Sequence, residues 1–175
     1  MESVLGALRR FLDAVSSGAV RPTRSLPSMD PCFEHYRPES VKRLRLDPLV
    51  EDVVEELVNS PLVLRGLARD YDQVFGGVLF DAECSHLWAL ERMSAAERLN
   101  ALLTLPLDAR RQLLEVYAEH LLAEALREYR WSRLEGRSHQ ESVEAALSAV
   151  RRRLEGMPLT FLEAVGVGPW SRDVK

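Results

Sequence analysis

The sequence predicts an all-α fold, and three observations carry that expectation. Apolar residues recur at helical spacing in one segment after another. No run of strict apolar–polar alternation bounded by turn residues occurs, and valine is the only abundant β-branched residue, with isoleucine absent. The 175 residues, 46% hydrophobic and 29% charged, suffice for one core, so residues 1–175 are read as one compact domain. The expected architecture is a single bundle of six or seven helices around a long central helix, with a Pro-rich non-helical strap near the N-terminus.

Val4, Leu5, Leu8, Phe11, Leu12 and Val15 form the first amphipathic face, with Ser3 as N-cap and Gly18 as terminator. Between residues 18 and 40 the periodicity stops. Pro22, Pro27, Pro31 and Pro38 bias the residues before them toward extended backbone and remove donors, which makes this stretch the strap. Residues 41–46 form a short turn. Asp47-Pro48 opens a helix with proline at its first position and Leu49, Val50, Val53, Val54 and Leu57 on its face. Asn59-Ser60-Pro61 repeats the stop and start, and Leu62, Leu64, Leu67, Tyr71, Val74 and Phe75 continue to Gly76-Gly77.

Residues 78–93 carry Leu79, Phe80, Leu87, Trp88 and Leu90 and read as a further helix. Ser94 and Glu97 have the spacing of a capping box, opening a short helix with Leu99, Leu102 and Leu103 that ends before Pro106. The longest segment runs from Leu107 to Glu135, about 43 Å at 1.5 Å per residue. Its stripe is Leu107, Leu114, Ala118, Leu121, Ala125 and Tyr129. Gly136 ends it, and Ser138 with Glu141 forms a second capping box before Val143, Ala146, Leu147, Val150 and Leu154. A helical turn is expected after Pro158 and an irregular tail over residues 166–175.

Twenty-three basic against 27 acidic residues give a net charge of -4, which excludes a uniformly basic nucleic-acid binder. No apolar stretch approaches the roughly 18 residues of a membrane span. Glu2, Arg9, Arg10 and Asp13 interrupt the N-terminal apolar pattern, unlike a secretory signal, so a cytoplasmic setting with reduced cysteines is expected. Only Lys42 and Lys175 are lysine and amide residues are scarce, a usage that fits a GC-rich genome and equally a thermophile. Phosphate-loop, dinucleotide, His-Glu-x-x-His and Gly-x-Ser-x-Gly motifs are absent.

Each cysteine has a histidine nearby: Cys32 with His35, and Cys84 with His86. Two thiolates and two imidazoles are a structural zinc ligand set. Residues two apart on a helix point about 200° apart, however, so Cys84 and His86 would diverge, and the spacing matches no standard zinc module. No cofactor is therefore assigned. Glu83 and His86 form one Glu-x-x-His pair where a di-iron bundle needs two. Glu115, Glu119, His120, Glu124 and Glu128 crowd the long helix. Glu115 and Glu119 are expected on a solvated ion-pair face with Arg111, Arg130 and Arg133, and His120 on a flank capping a hydrophobic edge.

Arg133 and His139 are separated by five residues, a spacing that resembles the Arg-x4-6-His signature of the HEPN ribonucleases, which are small helical proteins. The resemblance implies RNA cleavage dependent on His139. It covers two residues only: Leu134 follows the arginine where that family prefers a polar residue, and Gly136 falls between the two. Charge offers another candidate in Arg43 and Arg45, beside Arg37 and Lys42, and in Arg151, Arg152 and Arg153, whose planar donors suit phosphate. The triple run also sits in a last helical turn, where it complements the dipole.

The leading expectation is a non-catalytic interaction or accessory protein, a subunit of a larger assembly or a homo-oligomer. Spare apolar surface is expected at residues 62–67 and 78–80. The alternatives are a nucleic-acid-associated accessory subunit using the Arg clusters, and a metal-dependent or HEPN-like ribonuclease using His86, His120 or His139.

Overall fold

The computed structural model describes residues 1–21, 47–75 and 89–155. Among them are six helices and no strand: α1 Glu2–Ser17, α2 Pro48–Val58, α3 Pro61–Phe75, α4 Ala95–Thr104, α5 Leu107–Leu134 and α6 His139–Glu155. The fold is all-α, and no helix among the described residues is long and apolar enough to cross a membrane. The body of the strap, the turn over 41–46, most of the helix expected over 78–93, the turn after Pro158 and the tail lie outside the described residues.

Local chemistry sets the helix ends. Gly18 adopts φ 84, the left-handed conformation that costs glycine little, and its N–H bonds the Val15 carbonyl at 3.1 Å. Ser3 lies inside the first turn and does not cap α1. Met1 holds the capping position without a side-chain bond, because the helix starts two residues earlier than the apolar pattern does. Asp47 accepts from the Leu49 N–H at 2.9 Å ahead of Pro48, and the Ser60 hydroxyl accepts from the Leu62 N–H at 3.2 Å, so a capping side chain precedes each Pro-initiated helix.

Both expected capping boxes form. Ser94 and Glu97 exchange bonds of 2.9 and 3.2 Å, and Ser138 and Glu141 exchange bonds of 3.0 and 3.1 Å. Ala89 and Leu90 are helical before the chain turns into the first box.

The short link over residues 135–138 makes α5 and α6 an antiparallel hairpin, which is the most extensive contact among the described helices. Helix α5 also packs against α1, α2 and α3, and α6 against α1 and α3. Helices α1 and α2 pair, as do α3 and α4. Phe11, Leu57, Leu67, Phe75, Leu121 and Val150 are among the residues fully withdrawn from water, each side chain contributing on the order of 1.5–3 kcal/mol.

Burial on α5 is wider than its predicted stripe. Leu113, Val116, Tyr117, Leu122 and Leu126 join Leu114, Ala118, Leu121, Ala125 and Tyr129, because α5 has neighbours on several sides. Two expectations fail there. Leu107 is 70% exposed, since a first-turn side chain leans toward the N-terminus, past the packed region. Glu119 is buried while Glu115 keeps its i,i+4 pair with Arg111 at 3.0 Å, so the two do not share a solvated face.

Candidate functional site

On α5, residues 117, 120, 124, 127, 131 and 134 fall within about 100° of one another around the helix. This face passes through two environments. Toward the N-terminus α3 and α6 converge on it; toward the C-terminus no described helix covers it.

Where the three helices converge, Gly66 of α3 lets the backbones approach. A Cβ there would lie 2.7 Å from the Tyr117 hydroxyl and 3.0 Å from Leu154 Cδ2. One turn further along α3, the buried Asp70 accepts a 2.9 Å bond from the Tyr117 hydroxyl and a 3.2 Å bond from Arg153 of α6. Arg153 also donates through Nε to Glu124 at 2.6 Å and through a terminal nitrogen to Gln73 at 3.0 Å. Arg69 lies 3.4 Å from the other Asp70 oxygen and donates to the Arg153 carbonyl.

The surroundings decide the protonation of these groups. Burial pushes the Tyr117 hydroxyl well above its ordinary range, and Asp70 adds to the effect, which leaves Tyr117 a donor. Burial works against the Arg153 charge, but Glu124 and Asp70 outweigh it and hold the guanidinium protonated. Asp70 and Glu124 against Arg69 and Arg153 sum to zero.

Above this network is a cleft of about 320 Å³, with Gln73 and Val74 on one side, His120, Leu121 and Ala123 along α5, and Arg127 also in the lining. Arg127 has no ion-pair or hydrogen-bond partner among the described residues. The buried Nε2 of His120 has no hydrogen-bond partner among them either. Burial, with Arg153 second, lowers the pKa of His120 from its ordinary 6.5 and favours the neutral ring.

At the open end of the same face, Trp131 is 63% and Leu134 80% exposed, one turn apart. These residues, with Leu103 and Leu107, carry the large exposed apolar side chains among the described residues, whereas Leu62 and Leu64 are partly covered and Leu67 is buried. The spare surface expected over 62–67 is thus packing surface of α3.

Cys32, His35, Cys84, His86, Arg43 and Arg45 lie outside the described residues. Arg151, Arg152 and Arg153 do not share a face: Arg151 is exposed 3.9 Å from Glu155, Arg152 is exposed, and Arg153 turns into the cleft. His139 has both ring nitrogens engaged, Nδ1 with the Tyr129 hydroxyl at 2.8 Å and Nε2 with Asp13 at 2.9 Å, while Arg133 donates to the Arg137 carbonyl at 3.0 Å.

Sequence reasoning passed over Asp70, Gln73, Arg69, Arg127 and the Trp131–Leu134 pair. A signal existed for Asp70, a carboxylate set among Leu67, Tyr71 and Val74 on an apolar face. Comparisons with protein-family models, with curated proteins and with solved structures find no match.

Proposed function

We propose that this protein is a non-catalytic interaction protein that self-associates as a subunit of an assembly, with the C-terminal end of α5 as the contact. The observation that carries this reading is the exposure of Trp131 and Leu134 at successive turns, since a solvent-facing tryptophan is the typical anchor of a protein interface. Charge supports a second copy of the chain as the occupant. Arg130 lies on one flank of Trp131 and Glu128 and Glu135 on the other, while Arg127, one turn back, lines the cleft. A two-fold axis parallel to α5 sets the basic flank of one copy against the acidic flank of its partner.

The non-catalytic reading is supported by the state of the polar cluster. Tyr117 is held protonated, and both carboxylates of the cluster are engaged by guanidinium groups. The same reading takes residues 1–175 as one bundle built around α5, supported by the contacts of α5 with α1, α2, α3 and α6.

Sedimentation equilibrium of the full chain tests the proposal. The expected mass at micromolar concentration is twice the chain's 19.8 kDa. Trp131→Asp is expected to weaken the dimer by about thirtyfold or more, corresponding to roughly 2 kcal/mol, with an unchanged helical circular dichroism spectrum. A wild-type monomer at every concentration up to about 100 μM, a dissociation constant worth only about 5 kcal/mol, would overturn the reading.

A further inference from the structure

The geometry points to the cleft between α3, α5 and α6 as a binding site for a small organic monocarboxylate, its carboxylate held by Arg127 and Arg153 and its apolar body laid against Val74, Leu121 and Ala123.

Size, charge and donor geometry converge on that ligand class. A volume of about 320 Å³ lies at the low end of small-molecule sites, which suits a compact acid better than a nucleotide. Among the described residues the network beneath the cleft sums to zero formal charge, so Arg127 adds one positive charge to the lining, enough for a monoanion. Glu124 lines the same cleft and Asp70 lies beneath it, which opposes a multiply charged phosphate.

Arg153 is already oriented by bonds to Glu124, Asp70 and Gln73, made through Nε and one terminal nitrogen. Its other terminal nitrogen has no partner among the described residues. Arg127 is exposed and unpaired among those residues, free to turn onto a carboxylate with the planar pair of donors that such a group accepts. His120 also lines the cleft, as a largely neutral ring beside Arg153 whose buried Nε2 has no hydrogen-bond partner among the described residues. Unsatisfied buried polar atoms are rare in native folds and concentrate where a structure serves something besides its own stability.

The site lies within one chain, so it stands or falls separately from self-association. The test is a titration of the full chain, isotopically labelled at histidine, with sodium hexanoate, with hexanol and with inorganic phosphate. Hexanoate is expected to move the His120 ring resonances saturably and to raise its pKa toward 6.5, because an anion placed beside the ring offsets Arg153. Hexanol and phosphate are expected to leave these resonances in place. Arg127→Gln, an exposed change that spares the core, is expected to weaken hexanoate about tenfold or more, and Arg127→Lys less. Sedimentation of the same samples reports self-association separately. Equal response to hexanol would overturn the carboxylate assignment, as would a response to phosphate alone, unchanged affinity in Arg127→Gln, or no saturable response to hexanoate.

Discussion

Arg153 follows Arg151 and Arg152 in the chain yet meets a different medium. Its neighbours face water, while its own side chain is half-buried against Asp70, Glu124 and Gln73. Partners such as Asp70 lie more than 80 residues away, so the crossing of α3 and α6 over α5 selects them, and no periodicity in one helix names them. Residue-scale chemistry of this kind was the least legible part of the sequence. The run of three arginines reads as one basic cluster until the helix crossing divides it.

His120 gives the matching prediction. Its folded-state pKa is depressed, by burial first and by Arg153 second, so the unfolded chain takes up a proton near pH 6.5 that the folded chain declines. Stability from this group is therefore complete above about pH 6.5 and is lost as pH falls through the lower folded value. Urea unfolding between pH 7 and 5 is expected to show a smaller loss of stability in His120→Gln than in the wild type. Parallel pH profiles for the two chains would contradict the assignment.

At the scale of elements the sequence was far more informative, because caps and terminators act over three or four residues. Asp47-Pro48, Ser60-Pro61 and the two capping boxes each make the bonds that their spacing implied. Ser3 and Leu107 depart from expectation at a first helical turn for different reasons: α1 begins before its apolar pattern, which leaves Ser3 inside the helix, and Leu107 leans past the packed region. Gly136 joins α5 to α6 at φ 91, backbone that a side chain strains. Gly136→Ala is expected to cost about 1 kcal/mol and to lower the melting temperature by about 2–4 °C, read by calorimetry. Open space around that position makes the strain purely conformational, so Gly136→Asn is expected to cost less.

For the whole molecule, the all-α class was legible because helical period recurs in every segment that the structure describes. The way the helices assemble was not, since an amphipathic face announces that it will be covered without saying by what. Trp131 and Leu134 show the same limit from outside. Both lie off the apolar stripe read from the sequence, which left open what would meet them, and no described helix covers that end of α5.

The bonds that fasten α1 to the hairpin carry a consequence for how the chain reaches this state. Asp13 meets His139 across 126 residues and Arg9 meets Glu144 across 135, whereas α5 and α6 are joined by a link of four residues. Closing the long loop costs chain entropy that the local hairpin does not, so the hairpin is expected to order early and α1 to dock after the folding barrier is crossed. Stopped-flow chevrons of Asp13→Ala should then show faster unfolding with nearly unchanged refolding, whereas Leu121→Ala in α5 should slow refolding. Helix α1 is thus expected to find its place only on a hairpin that has already formed.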